Sequence, residues 1–471
     1  MCLNMTKKTR LLIFVICVAS FLAITPNLVL YSMGYRLDLK TMKVTATGGI
    51  YVRTFPTAER ISIDSGLSQK PGLFSNSIFV QNLIPTEHSV LAQKDGYFDY
   101  AKTIPVQKNQ VTKLENILLI RQNIAFQKIT DNVDFFSVAP NKQAILTATT
   151  GSKNISFNYF SSASDNQPQI FAIARVGTVS SVEWSSDSIF ALLKIEGLNN
   201  TFYYLFDSTT PPQLNPGQTK PQDLVALLLL SLDKSTQRPY FNPNNSKEIF
   251  YIKNSVLYSE TKDKELPIIT NVSGYNFLGG SIIWLSTDGF LYKSDFSGEN
   301  KTQMSVKSVS VKSGQNFEIS VVADKVFMHA DNSLLLLNAG TKIFENLPLP
   351  ASSYKIILSP DQKNIAFRNG KDIYLYSFVD DVYEKIFSGD LLGNCQWLNN
   401  DYIIFTSGDK IIISEIDYRG NINTVTLPQT ITLQSDTEIK VTKPEAFFNS
   451  QDGKVYFLTN KTLISSEKII P

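Results

Sequence analysis

The feature that most constrains this chain is a hairpin that keeps returning. In its clearest copy, ILSPDQKNIAFRNGKDIYLYS (Ile357–Ser377), a Ser-Pro-Asp turn opens a short apolar run, a polar turn follows, and a second apolar run closes it. Alternating apolar residues bounded by turn formers are the mark of β-strands. Aligned on the first turn, related stretches occur at Pro140 (VAPNKQAILTAT), Ser186 (WSSDSIFALLK) and Pro243 (FNPNNSKEIFYIKNSVLYS). Two more lie at Asn399 (QWLNNDYIIFTSGDKIIISEI) and Ser450 (FNSQDGKVYFLTNKTLISS). The one long interval, between Pro243 and Pro360, holds two weaker copies, SIIWLSTDGFLYKSD and KVFMHADNSLLLLN.

A repeat of roughly 40–45 residues with period-two alternation fits the four-stranded blade of a β-propeller. Helical repeats of that length are excluded by the alternation and by the density of β-branched and aromatic residues. Residues 123–471 are therefore expected to form a propeller of about eight blades, with seven as the other count. The last copy leaves room for three strands only, and Ile124–Thr130 (IAFQKIT) is spare. That segment is expected to pair with the last blade and close the ring, because an open edge would otherwise remain.

The N-terminus carries a different signal. Lys7, Lys8 and Arg10 precede LLIFVICVASFLAITPNLVLY (Leu11–Tyr31), an uncharged run long enough to cross a bilayer. The basic flank is expected to stay in the cytoplasm, with residues after about Gly34 outside it. An uncleaved anchor over 1–33 and a signal peptide cut after Val18–Ser20 both remain open, and both export the chain. Residues 34–47 then read as a juxtamembrane linker.

Composition narrows the function classes. A net charge of +2 over 471 residues provides no cationic excess for nucleic acid. Of three cysteines, only Cys395 lies in the body of the chain, and the two histidines, His88 and His329, are far apart, so neither an internal disulfide nor a zinc site is expected. No G-x-S-x-G, phosphate-cradling, calcium-loop or dinucleotide motif occurs, and no cofactor is expected. His88 and His329 are read as structural. With 42 acidic residues spread over turns, carboxylates gathered in the ring centre stay open as an alternative.

Between 48 and 122, short strands alternate with Pro, Gly, Asn and Asp: GIYVRTF, RISIDS, SIFVQNL, HSVLAQ, AKTIPV and LENILLI. The stretch GGIYVRTFPTAERISID, the Leu83–His88 step (LIPTEH) and the Gly96-Tyr97 pair resemble the PEGA domain, a small β-module of prokaryotic envelope proteins. Ala58, Glu59, Ser65 and Thr86 depart from its usual pattern. The Ser359-Pro360-Asp361 turn and the strands after it resemble TolB-like and WD40-like propellers. These resemblances imply a non-catalytic envelope module and a binding propeller. The chain is thus expected to be a membrane-anchored extracytoplasmic scaffold for a protein or cell-wall polymer, the alternative being a glycan-acting propeller enzyme.

One stretch departs from the repeat. Thr209–Pro239 is long, and its PQDLVALLLLSLD core reads as a short helix with Pro221 at its start and an acidic first turn. Leu227, Leu228, Leu229 and Leu230 are more apolar than a connection needs. They are the candidate partner-contact or capping segment.

Overall fold

The structure is a computed structural model. It describes residues 7–38, 43–64, 66–72, 75–161, 168–209, 222–223, 232–261, 264–311, 317–322, 324–330, 333–347, 355–390, 392–433 and 437–470. Apart from one helix, the regular elements among these residues are strands. They fall into two units: residues 1–124 with 414–425 and 469–471, and residues 125–413 with 426–468.

The first unit begins with the helix Lys7–Ser32. Its run Thr9–Ser32 has a mean hydropathy of 2.4, and none of it is buried. By length and composition it can cross a membrane, a test that a signal sequence also passes. Its last turn is tied down: Arg36 donates to the carbonyls of Tyr31 and Tyr35, both at 2.8 Å, and its guanidinium lies 3.5 Å from the Tyr31 ring centre. Thr47 donates from both its backbone N–H and its hydroxyl to the Gly34 carbonyl. The stretch read as a linker contains a pair of strands, Tyr35–Asp38 antiparallel to Lys43–Ala46.

Two sheets follow. In one, Gly48–Phe55 lies between Ser77–Leu83, antiparallel, and Val111–Leu118, parallel. The other orders Leu67–Gln69, Arg60–Ile63, Glu87–Gln93 and Tyr100–Pro105. Alternate residues of both, among them Ile50, Val52, Ile61, Ile63, Val80, Val90 and Leu114, meet in one buried core. Period-two alternation puts Lys102 inward between Tyr100 and Ile104. Its ammonium reaches Glu415 Oε1 at 2.6 Å and the carbonyls of Asp417 and Asn421 at 2.7 and 2.9 Å. Tyr100 Oη donates to the other Glu415 oxygen at 2.8 Å. Burial pushes the Glu415 carboxyl above its ordinary range, against the pull of Lys102. Gly420 lies so close to this strand, at φ +70°, that a Cβ would come within 1.7 Å of the Thr103 carbonyl oxygen.

Among the described residues the second unit is a β-propeller of eight consecutive sheets, antiparallel apart from one parallel pair at the edge of the first. Blades 1 to 7 begin with the strands Phe135–Val138, Thr178–Trp184, Gln237–Asn242, Val272–Leu278, Phe317–Val322, Lys355–Leu358 and Leu392–Trp397. Blade 8 takes Glu445–Asn449, Lys454–Thr459 and Thr462–Ser466 from the C-terminal end and Phe126–Asp131 from the start of the unit. The expected closure by the 124–130 segment is thus present. The cores lie between blades: Phe157, Phe171 and Leu193 join blades 1 and 2, Phe250 and Tyr275 join 3 and 4, and Phe327 and Phe367 join 5 and 6. Val133, Ile145, Leu458 and Leu463 join blade 8 to blade 1. Trp184 and Trp397, each at the end of its blade's first strand, donate at 3.0 Å to Ser137 Oγ and the Ile357 carbonyl of the preceding blade.

The recurring turn works as punctuation. Ser185 and Ser359 hydroxyls donate to Asp187 and Asp361 at 2.6 and 2.7 Å and accept the N–H of Phe190 and Asn364. Lys142, Ser188 and Gln362 hold the same left-handed position after it, at φ of 59°, 64° and 60°. One expectation is corrected here. Gln222 and Asp223, read as the first turn of a helix, are strand, paired parallel with Phe171 and Ala172 of blade 1. The sheet's exposed edge offered them backbone partners, which outweighs a weak local helix signal.

Two stability outcomes follow. Lys102→Ala or Glu415→Ala should cost about 3–5 kcal/mol in urea unfolding, because each strands a buried charge, whereas Lys102→Met with Glu415→Leu should recover most of that loss. Deleting residues 124–131 should lower the unfolding temperature of the propeller transition, read by calorimetry, more than deleting the exposed turn 198–200 does.

Candidate functional site

The candidate residues Leu227, Leu228, Leu229 and Leu230 lie outside the described residues. Immediately after them, Leu232 is buried in the core between blades 2 and 3 with Phe190, Tyr203, Phe241 and Tyr251. Asp233 accepts bonds from Ser235 and, at 2.9 Å, from Lys253, which together hold its carboxyl down at about 2. The end of this segment is therefore pinned by core packing and an ion pair.

His88 has both ring nitrogens taken, by the Asp64 carboxylate and the Ile84 carbonyl, each at 2.7 Å. The two bonds fix the ring against Asp64 and the chain at Ile84 within the first unit. In the first unit, a cleft of about 290 Å³ is lined by Glu59, Arg60, Lys70, Gln93, Lys94 and acidic neighbours. Lys94 pairs with Glu59 at 3.7 Å, and the Gln93 amide donates to Asp99 at 2.8 Å.

Further ionisable groups of the propeller lie on the first strands of blades 2, 3 and 5 and, as His329, on the second strand of blade 5. In a closed ring these strands run nearest the centre. On blade 2, Val182 and Trp184 turn toward the core shared with blade 1, so alternation sends Glu183 the other way. Among the described residues Glu183 has no hydrogen-bond or ionic partner. Its carboxyl meets water yet is ringed by protein, and that desolvation alone pushes it up to about 7.

On blade 3, a bulge between Gln237 and Tyr240 puts Arg238 in the left-handed region at φ +54°. A non-glycine residue there is strained and needs a fixed surrounding. Tyr275 of blade 4, fully buried, supplies part of it by donating its hydroxyl to the Arg238 and Phe250 carbonyls at 2.7 and 2.6 Å. Tyr240 packs 5.7 Å from the Tyr275 ring. On blade 5, Glu318 stands directly opposite His329 in register, and Ser320 Oγ lies 3.4 Å from His329 Nε2. Burial lowers the His329 pKa, against the pull of the Glu318 carboxylate. Burial also raises the Tyr240 hydroxyl above its ordinary range.

No group of three or more His, Cys, Asp or Glu placed to hold a metal ion occurs among the described residues. Sequence reading singled out His329 but missed Glu183 and Arg238. The only local signal is a carboxylate at an alternating strand position, as in SVEW, which many exposed strands share.

No family model matches the chain, and no curated protein does. Among solved structures it is similar to BamB from Moraxella catarrhalis, at 12% identity over 74% of this chain and 97% of that one, with a TM-score of 0.44. It is similar to Sqt1 from Saccharomyces cerevisiae at 14% identity over 74% and 98%, with a TM-score of 0.45. The Dos1 propeller gives 10% identity over 73% and 94%, again at 0.45.

The raised Glu183 carboxyl has a signed consequence. Its folded pKa lies above the ordinary 4.5, so the native state holds the extra proton and stability falls as pH rises from about 4.5 to about 7. Glu183→Gln should remove that slope. Thermal unfolding should find the variant more stable than wild type at pH 8 and equal to it at pH 4.

Proposed function

We propose that this chain is a membrane-anchored propeller protein of the extracytoplasmic side, a scaffold that binds another protein or a cell-wall polymer and catalyses no reaction. The observation that carries this reading is the unburied apolar helix whose last turn is bonded straight into a folded β-unit. An exported domain on a lipid-spanning helix needs such a junction, whereas a cleaved leader has no use for it. Lys7 and Arg10 before the apolar run put the N-terminus in the cytoplasm. The unit over 48–122 is then a PEGA-like module of a prokaryotic envelope, and the propeller is of the TolB-like kind. Propeller strands are committed to packing between blades, so contacts with a partner come from loops and from the ring centre. Leu227–Leu230 belong to the one long connection and are proposed to touch such a partner. A net charge of +2 supports a partner other than nucleic acid.

Fractionation tests the anchor. Wild type should stay with membranes after alkaline carbonate washing, and Val15→Arg with Ile16→Arg should release it. Protease added outside a sealed inner membrane should cut the propeller loops, and in-cell crosslinking should capture a stoichiometric envelope partner. A wild-type chain found soluble in the cytoplasm overturns the reading.

A further inference from the structure

We propose that the end of the first unit nearest the helix is itself a lipid-binding surface: Phe79 and Val111 enter the outer headgroup layer of the bilayer, and Arg36 and Lys108 meet the phosphates of anionic lipids there. The inference deepens the anchored reading and rests on the apolar helix crossing the membrane.

Length sets the level of this end. The apolar run Thr9–Ser32 has 24 residues. At 1.5 Å per residue it covers about 36 Å, longer than a hydrocarbon core of about 30 Å but shorter than a bilayer with its headgroups. The helix therefore ends among headgroups, at the exposed Tyr31, a residue type favoured at that depth. The fold then holds a second segment beside it. Thr47 bonds the Gly34 carbonyl, two residues past the helix, and the Thr47 carbonyl accepts the Asn109 N–H at 2.9 Å. The Gln110 carbonyl accepts the Gly49 N–H at 3.0 Å. The turn Gln107–Gln110, exposed throughout, is thereby pinned close to the helix end.

Two exposed apolar side chains stand at this same end. Val111, 45% exposed, follows the turn directly and lies opposite Gly49 in register. The Phe79 ring, 44% exposed, lies across Gly49, so close that a Cβ there would come within 2.9 Å of it. Period two puts both on the face of their sheet that turns away from the core, while Ile50, Ile78, Val80 and Leu114 take the other. Apolar surface left facing water beside a bilayer is surface that the headgroup layer can cover.

Charge selects the lipid. The stretches that form this end, 31–36, 46–49, 77–83 and 106–113, contain Arg36, Lys108 and Lys113 and no acidic residue. Lys113 is already paired with Glu115 at 3.3 Å. Lys108 has no ionic partner among the described residues, and the Arg36 guanidinium sits at the last helical turn, over the Tyr31 ring. A cationic end with apolar tips fits anionic headgroups better than zwitterionic ones.

The test reconstitutes the full chain into phosphatidylcholine vesicles with or without phosphatidylglycerol. A polarity-sensitive fluorophore is carried at Val111→Cys or, about 20 Å along the strand from Gly49, at Phe55→Cys. Cys2→Ser and Cys17→Ser leave only these sites to label, Cys395 being buried. Lipid spin-labelled at the headgroup should quench the Val111 probe at least twofold in anionic vesicles, less in neutral ones, and the Phe55 probe in neither. Lys108→Glu, in an exposed turn, should bring the anionic value down to the neutral one. If a labelled variant fails to fold, hydrogen exchange at residues 107–112 of wild type, slowed in anionic relative to neutral vesicles, reads the same contact. Quenching at both positions alike, at neither, or equal in the two vesicle types overturns the proposal. So does shielding of Val111 that grows with protein concentration in detergent, the mark of a second copy. A chain that does not float with vesicles at all overturns the anchored reading instead, so the two failures are told apart.

Discussion

The propeller depends on one noncovalent seam, the pairing of Phe126–Asp131 with Thr462–Ser466. Every blade in such a ring buries its faces against two neighbours, so the ring has no privileged starting point except where the chain begins and ends. There the backbone hydrogen bonds of a strand ladder do the joining. The seam is reinforced by packing: Phe126 meets Phe457 edge-on with ring centres 5.9 Å apart, and Val133, Leu458 and Leu463 fill the space between the last blade and the first. Each such fully buried side chain is worth about 1.5–3 kcal/mol. A ladder edge left open at this point would also be a template for pairing with other chains.

Around the same ring runs a second set of links through the turns. Asn449 of blade 8 donates to the Lys142 carbonyl of blade 1, the Asn141 N–H donates to Ser188 Oγ of blade 2, and Ser186 Oγ reaches the Pro243 carbonyl of blade 3. At these three junctions the turn residues therefore also register one blade against the next. This explains why Asn, Ser and Asp recur there: short polar side chains can satisfy their own turn and still face a neighbour.

Lys102 and Glu183 illustrate two fates of an ionisable group among apolar strands. Lys102 is completely enclosed and meets a carboxylate and two carbonyls, which compensates its desolvation and fixes residues 414–425 within the first unit. Glu183 is ringed by protein but unbonded, and takes up a proton near neutrality instead. A fully satisfied pair specifies structure. An unsatisfied group responds to burial by changing its protonation instead.

Much of this architecture is legible in the chain. Period-two alternation, recurring polar turns and a spacing near one blade per copy determined the all-β class and the propeller, with eight or seven blades left open, because each depends on local backbone chemistry repeated at intervals. The apolar run before Ser32 was equally readable. Other features were not. That residues 414–425 would cluster with the first unit, that Lys102 would be enclosed, and that Gln222–Asp223 would join an edge strand instead of starting a helix were decided by partners hundreds or tens of residues away. The same holds for Glu183, on a strand that looks like many others taken singly. Its charge is written in the sequence, but the protein that desolvates its carboxyl is set by the fold, because burial depends on neighbours far away along the chain.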